Sequence, residues 1–366
     1  MNWDFNLPVK IIFGRNRAQE AVELTKDLGN GLLVCDQFLA DGPARRMLEA
    51  SQGRIAEIFS DISPNPSVRE VDACCEAIHR LDVKYLIAMG GGSVMDIAKA
   101  ASVIAFGDGC ARDYHTGGKP LPNTHIPVYA IPTTAGTGSE VTFVSVLTDR
   151  EKGVKAPIGS PLLYVHTAII DPVLTLSVPP KVTASTGLDV LSHAIEAYWS
   201  VNHQPICDAA AMHASRLVFQ NLMKVYINPQ DIDAREKMCE ASVMAGIAFG
   251  HPKTTGSHAC SYPLTNNYGM PHGEACAFTL DAFIRINADE RVLDLAKFCG
   301  FASVDEMADA VFALKKQMGM KLTLADAGIK EADVTLLAEK SMHPNMLNNP
   351  VPMDLAAVER LYRGLA

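Results

Sequence analysis

An α/β domain built on a mostly parallel sheet, followed by an all-helical domain, is the architecture that this 366-residue sequence predicts. Two observations carry that expectation. Up to about Pro180, short β-branched runs alternate with helical patterns, as when strands are linked by helices that cover both faces of a sheet. Beyond it, apolar residues recur at three- and four-residue intervals, as in LDVLSHAIEAY and VDEMADAVFALKKQM, with no convincing strand. The boundary therefore falls near Pro179-Pro180, giving domains over 1–180 and 181–366.

The expected strands are VKIIFG (9–14), GLLVCD (31–36), YLIAMG (85–90), VYAIP (128–132) and HTAIIDP (166–172), with helices between them that include 16–28 and 93–106. A chain this long, 48% hydrophobic, can bury a large core in each domain. The 32 basic and 41 acidic residues give a net charge of −9 without any basic block, which argues against nucleic acid and anionic membranes as partners. The N-terminus lacks a signal pattern and no apolar run reaches membrane-spanning length, so a cytoplasmic protein is expected. Nine cysteines, with Cys74-Cys75 as their only close pair, fit neither a zinc ribbon nor a disulfide framework and read as reduced thiols.

Two glycine-rich loops suggest a dinucleotide. The strand YLIAMG runs through Gly90, Gly91 and Gly92 into a helix opened by Ser93, where backbone N–H groups and the positive end of the helix dipole can meet a pyrophosphate. The same triplet also suits an ordinary tight turn, because the GxGxxG spacing is absent. The loop IPTTAGTGSEVT (131–142) crowds Thr133, Thr134, Thr137 and Ser139 among glycines, offering hydroxyls to phosphate, ribose or nicotinamide amide. Asp36 ends the strand GLLVCD, where a carboxylate can accept from an adenosine ribose and would repel a 2′-phosphate, favouring NAD(H) over NADP(H).

Four further side chains suggest a metal. Asp189 and His193 in GLDVLSHAIEAYW stand four residues apart and share a helix face. His258 lies in a second helical stretch, and His272 follows a Tyr-Gly-Met-Pro turn that returns the chain toward it. One carboxylate and three imidazoles suit Fe(II), Zn(II) or another borderline divalent ion, with a position open for a substrate oxygen.

GGGSVMDIAKA, PTTAGTGSEVT, TGLDVLSHAIEAYWS and HxxxYPL ending in PHGEA together resemble the iron-dependent (group III) alcohol dehydrogenases, and the likeness runs on to NNPVPMDLAAVERLYRGL. It implies the dehydroquinate synthase-like fold of that family, with a Rossmann-like N-terminal domain, a helical metal-binding domain and the active site in the cleft between them. It further implies metal ligands at Asp189, His193, His258 and His272. The cofactor contacts implied are Asp36, Asn65, Gly91, Gly92, Ser93, Asp96, Thr133, Thr134, Thr137 and Lys155. Asn65 and Lys155 rest on the resemblance alone. A homodimer acting on a small aldehyde or alcohol is the expected assembly.

Two departures from the commoner family pattern bear on chemistry. Many members carry a histidine four residues after the third ligand, where this chain has Tyr262. The stretch FGHPKTTGSH brings His251 and Lys253 seven and five residues before His258, so on a continuous helix His251 would share the ligand's face and Lys253 would need its long stem to reach a substrate pocket. With EAYWSVNHQP, this pattern most resembles the phosphonoacetaldehyde reductase (hydroxyethylphosphonate dehydrogenase) branch, in which Lys253 would neutralise an anionic aldehyde. The alternatives are a general short-chain dehydrogenase of the lactaldehyde, 1,3-propanediol or 4-hydroxybutyrate type, and a sugar-phosphate cyclase, which uses NAD and a metal without net NADH consumption.

Overall fold

The computed structural model describes residues 2–365, which form two compact units. The first contains Asn6–Thr134 and Ser139–Thr175, and the second runs from Leu176 onward and takes in the segment up to Phe5 and the loop Ala135–Gly138. A single boundary in the sequence does not describe that exchange of short segments.

Eight strands belong to the first unit: β1 (Lys10–Phe13), β2 (Gly31–Cys35), β3 (Ile55–Phe59), β4 (Tyr85–Gly90), β5 (Val128–Pro132), β6 (Val144–Asp149), β7 (Val154–Gly159) and β8 (Thr167–Ile170). Its helices are α1 (Glu20–Leu24), α2 (Pro43–Ala50), α3 (Val68–Arg80), α4 (Gly92–Ile104) and α5 (Ala111–Tyr114). Six strands make a parallel sheet in the order β1-β8-β5-β4-β2-β3, while β6 and β7 form an antiparallel pair of their own. The central strands GLLVC, YLIAMG and VYAIP are buried at every residue. That explains their continuous apolar runs, because a parallel sheet covered on both faces has no wet side to alternate with.

Three elements of this unit were not legible in the pattern. Edge strand β3, IAEIF, is mostly half-exposed and carries a charge, and the β6–β7 pair carries polar residues and Pro157. The helix expected over 16–28 shrinks to Glu20–Leu24. The reason lies far away in sequence: the Asp171 carboxylate accepts from the backbone N–H groups of Asn16 (2.9 Å) and Ala18 (3.1 Å) and holds them outside the helix.

The second unit is helical: α6 (Pro180–Trp199), α7 (Pro205–Ile227), α8 (Ile232–Phe249), α9 (Gly256–Tyr268), α10 (His272–Ile286), α11 (Glu290–Cys299), α12 (Val304–Gln317), α13 (Val334–Ser341) and α14 (Leu355–Arg363). Asp231, Asp289, Ser303 and Asp354 cap α8, α11, α12 and α14 through their side chains. Helix α6 is its centre, buried at every position from Gly187 to Trp199. Leu188, Leu191 and Ile195 join Leu222, Phe278 and Phe283 in one core cluster, each large apolar side chain contributing roughly 1.5–3 kcal/mol by burial.

The link between α9 and α10 is short and specific. Gly269 ends α9 in the left-handed region at φ 64°, its N–H bonds to Thr265 O (3.1 Å), and Met270 N–H bonds to Leu264 O (3.3 Å). Pro271 then caps α10, so His272 is the first residue of a helix and not a loop residue.

Candidate metal and nucleotide sites

A helix buried on all sides carries no charge without a use or a partner, and α6 carries Asp189, His193 and Glu196 within its buried stretch. Positions i, i+4 and i+7 fall on one face. From that face Asp189 Oδ1 lies 3.9 Å from His193 Nε2, 3.7 Å from His258 Nε2 and 4.0 Å from His272 Nε2. Donors held about 2.1 Å from one tetrahedral ion are themselves about 3.4 Å apart, so each of these three pairs is within roughly half an ångström of that separation; Asp189, His258 and His272 belong to one group of mutually close donor atoms, and His193 stands outside it.

Other features suit the same group. His258 Nε2 is buried and makes no hydrogen bond, an arrangement costly for a polar atom that is not a ligand. The opposite ring nitrogen, Nδ1, donates to Glu196 Oε2. The second oxygen, Oε1, accepts from Thr255 N (3.1 Å), Thr255 Oγ1 (2.8 Å), Ser257 N (2.8 Å) and His258 N (3.3 Å). Glu196 thus fixes both the tautomer and the direction of the His258 ring, the arrangement expected behind a metal-binding imidazole. His193 is stacked on Phe249 with centroids 4.1 Å apart, and burial, with His258 and His272 nearby, holds it well below its ordinary pKa, in the neutral form a metal needs. Burial also opposes charge on His258, but Cys276 and Glu196 raise it well above its ordinary value.

His272 reaches this group because α10 lies hard against α6. A Cβ on Gly273 would sit 1.9 Å from Ser185 O and 2.9 Å from Asp189 Cβ. Glycine at that position is what lets the first turn of α10 approach the helix that carries Asp189.

The sheet unit holds the residues expected at a nucleotide. The chain passes from β2 outward to β3 and returns to β4 on the other side of β2, so the strand order reverses between β2 and β4. A crevice beyond the carboxyl ends of strands at such a reversal is the usual nucleotide position in open α/β sheets. Asp36 follows β2 and Gly91 follows β4, and Asp36 Oδ2 accepts from Gly91 N–H at 3.1 Å. Burial raises the pKa of the Asp36 carboxyl, with the Gly91 N–H working against that rise. A Cβ on Gly90 would come within 2.6 Å of the same carboxylate. Gly92 and Ser93 open α4, whose first turn contains no acidic residue. Thr133 N–H bonds to Gly90 O at 3.0 Å, and its buried Oγ1 makes no hydrogen bond. Thr134 Oγ1 lies 3.5 Å from where a Cβ on Gly91 would stand. These groups can receive the phosphates and ribose of a dinucleotide.

The other expected contacts are placed as follows. Lys155 Nζ donates to Asn65 Oδ1 at 2.8 Å, so two residues 90 apart in sequence form one pair. Asp96 braces the unit internally, accepting from Ser139 Oγ (2.9 Å) and Val146 N (3.0 Å). Thr137 belongs to the loop Ala135–Gly138, grouped with the helical unit, where Gly136 N–H bonds to Ser242 Oγ at 2.9 Å. Lys99, not singled out in the sequence, is buried in α4 and donates to Ser139 O at 2.9 Å, and burial lowers its pKa to about 8.

The continuous helix through His251 and Lys253 does not form. Helix α8 stops at Phe249 and α9 starts at Gly256, with Lys253 in the left-handed region at φ 65° and its N–H bonded to Phe249 O at 2.8 Å. Lys253 is exposed, while His251 is half-buried with its ring 5.0 Å from Phe5.

Both parts of the chain match one family. Residues 8–172 match the iron-containing alcohol dehydrogenase family, and 183–366 match its C-terminal part, the Fe-containing alcohol dehydrogenase family, C-terminal. The chain belongs to the iron-containing alcohol dehydrogenases. This dehydrogenase is 34% identical to choline dehydrogenase of Bacillus subtilis over 98% of its own length and 94% of the relative's. It is 33% identical to 1,3-propanediol dehydrogenase of Citrobacter freundii over 99% and 98%. Among solved structures, sulfoacetaldehyde reductase from Bifidobacterium kashiwanohense, in complex with NAD+, has 52% identity and a TM-score of 0.98, covering 100% of this chain and 99% of that one. A 1,3-propanediol oxidoreductase has 33% identity and a TM-score of 0.92, with full coverage of both. The dehydrogenase is therefore a metal- and NAD(H)-linked oxidoreductase acting on an alcohol or aldehyde, and the cyclase alternative falls away. No helix among its described residues is long and apolar enough to cross a membrane.

Several residues of the site escaped the sequence reading. Glu196 lies two turns beyond Asp189, and its i+7 spacing was the available signal. Asn345 has no such signal. It comes from a distant segment to donate to Thr254 Oγ1 (2.8 Å) and to the Tyr262 hydroxyl (3.4 Å), and the Tyr262 ring lies 4.4 Å from that of His343.

Proposed function

We propose that this dehydrogenase uses NADH to reduce a two-carbon aldehyde bearing a tetrahedral oxyanion, with sulfoacetaldehyde and phosphonoacetaldehyde as the two candidates. The observation that carries the reading is the 52% identity over the full chain to a sulfoacetaldehyde reductase, well above the 33–34% shared with relatives named for choline or 1,3-propanediol. Sulfonate and phosphonate share a compact anionic head, so a pocket that accepts one is a reasonable start for the other.

Asp189, His193, His258 and His272 are the proposed ligands of the divalent ion, with Fe(II) the proposed metal. When bound, such an ion supplies a Lewis acid toward a carbonyl or alkoxide oxygen. Glu196 holds the His258 ring in register, and burial keeps His193 neutral. Asp36, Asn65, Gly91, Gly92, Ser93, Asp96, Thr133, Thr134, Thr137 and Lys155 are the proposed nucleotide contacts. Asp36 would repel a 2′-phosphate and so favours NADH. Lys253 and His251 are the proposed substrate residues, Lys253 as an exposed cation that attracts the anionic head.

The test is kcat/KM for NADH oxidation with sulfoacetaldehyde, phosphonoacetaldehyde and the neutral 3-hydroxypropionaldehyde, on protein loaded anaerobically with Fe(II). A preference of tenfold or more for either anion is expected, on the order of 1.4 kcal/mol. A preference for the neutral aldehyde would instead support the 1,3-propanediol type, to which the 33% relatives point.

A further inference from the structure

Helix α9 carries, beside the metal group, a second polar cluster whose parts come from separate segments of the helical unit. Tyr262 stands one turn after His258, so the two share a face of α9. Its ring lies 4.4 Å from that of His343. Asn345 Nδ2 donates both to the Tyr262 hydroxyl (3.4 Å) and to Thr254 Oγ1 (2.8 Å), and Thr254 O accepts from Asn348 Nδ2 at 2.9 Å. Thr254 is buried, while Tyr262 and His343 are half-buried and keep part of their surface open to a small ligand.

The directions of these bonds leave protons to spare. Tyr262 and Thr254 serve Asn345 as acceptors, and among the described residues no acceptor receives either hydroxyl proton. His343 Nδ1 accepts from Asn345 N–H at 3.2 Å, which puts the proton of the neutral ring on Nε2. Burial holds the His343 imidazole below its ordinary pKa and the Tyr262 phenol above its own, so both stay neutral donors. A buried hydroxyl proton such as that of Thr254 is costly unless something accepts it. A two-carbon aldehyde with its oxygen at the metal group carries its other end away by about the 5.4 Å of one helical turn, which is the offset of Tyr262 from His258.

We propose that the Tyr262 hydroxyl, Thr254 Oγ1 and His343 Nε2 hold the head group of the substrate, and that as neutral donors they select a singly charged sulfonate over a doubly charged phosphonate. The inference rests on the oxyanion-aldehyde reading above and chooses between its two candidates. One charge spread over terminal oxygens can be met by hydrogen bonds alone, whereas a second charge taken out of water without a cation is far more costly. The Glu196 carboxylate, bonded to Thr255 beside Thr254, adds repulsion against that second charge. Lys253, on the other side of Thr254, is exposed, and water and salt screen its charge. Asn345 is a positioning residue in this arrangement, since it occupies the lone pairs of both hydroxyls and turns their protons outward.

The experiment compares kcat/KM for sulfoacetaldehyde, phosphonoacetaldehyde and 3-hydroxypropionaldehyde on the full-length Fe(II)-loaded protein. It is run at about pH 8, above the second ionisation of a phosphate-like group, which lies near about pH 6. The unaltered enzyme should prefer sulfoacetaldehyde to phosphonoacetaldehyde by about tenfold or more. Tyr262→Phe should lose about tenfold more with sulfoacetaldehyde than with the neutral aldehyde, mostly as a raised KM. Thr254→Val should do the same, and Thr254→Ser, which keeps the hydroxyl, should retain the selectivity. Melting temperatures check folding, and the Thr254 pair carries the test if Tyr262→Phe does not fold. Equal losses with the two aldehydes in Tyr262→Phe and Thr254→Val overturn the donor set and leave the oxyanion-aldehyde reading standing. A preference of the unaltered enzyme for phosphonoacetaldehyde overturns the charge selection and also leaves that reading standing. A preference for the neutral aldehyde overturns both.

Discussion

Glu196 accepts the Nδ1 proton of His258 from one helix away, and Nε2 of the same ring then points at Asp189 Oδ1, 3.7 Å distant. Because Asp189 and Glu196 stand on one face of α6, that helix both carries one proposed ligand and aims a second proposed ligand carried by α9. The Glu196 carboxylate is buried and fixed by four further hydrogen bonds from the start of α9, so the ring cannot turn without losing its bond to an acceptor that does not follow it.

Glu196→Gln keeps the shape of the side chain and removes the charged acceptor. Metal affinity is expected to fall about 10–100-fold with the fold retained, measured by competition with a chromophoric chelator. An unchanged dissociation constant would mean that His258 is not oriented by Glu196. Glu196→Ala removes the acceptor of several buried donors and should cost about 3–5 kcal/mol of stability as well.

Gly273→Ala tests the close approach of α10 to α6. The added methyl meets Ser185 O at 1.9 Å, so α10 must move, at an expected cost of roughly 1–3 kcal/mol read as a lower Tm. Metal content should fall with it, since His272 begins the same helix. A variant as stable as the unaltered protein and fully loaded would show that the two helices have slack.

Replacing Asp36 with Gly removes a carboxylate from the mouth of the crevice between β2 and β4. The ratio of kcat/KM for NADH to that for NADPH should shift toward NADPH by about 1–3 kcal/mol. An unchanged ratio would separate Asp36 from the ribose and leave it only its bond to Gly91 N–H.

For Lys253 the exposed position sets the scale. A charge at a wet rim changes encounter rates and salt dependence more than it changes the chemical step. Lys253→Met should lower kcat/KM for sulfoacetaldehyde by about fivefold, on the order of 1 kcal/mol. It should flatten the salt dependence and leave 3-hydroxypropionaldehyde unaffected. Equal losses with both aldehydes would assign Lys253 to the turn that its φ of 65° helps to make.

The sequence showed most plainly those elements whose environment is uniform. Fully buried strands such as YLIAMG and helices with a regular apolar stripe announce themselves by period. Edge strand β3 did not, because half-exposed residues follow no simple alternation, and α1 was shortened by Asp171, which lies 155 residues from Asn16. In the site, Asp189 and His193 could be paired because four residues separate them on one helix. Asn345 could not be paired with its neighbours in the same way. It has meaning only once its segment meets Thr254 and Tyr262. Lys253 illustrates the converse error, since helical spacing was extended across a break between Phe249 and Gly256.

Metal content and turnover measured on the same samples test the centre most directly. Unaltered protein reconstituted with Fe(II) should hold one ion per chain by elemental analysis and oxidise NADH with sulfoacetaldehyde. His272→Ala, which removes a proposed ligand from the first turn of α10 without disturbing the core, should lose both the ion and the turnover while its circular dichroism stays unchanged. Full metal occupancy with undiminished turnover in His272→Ala would contradict a site built from Asp189, His193, His258 and His272.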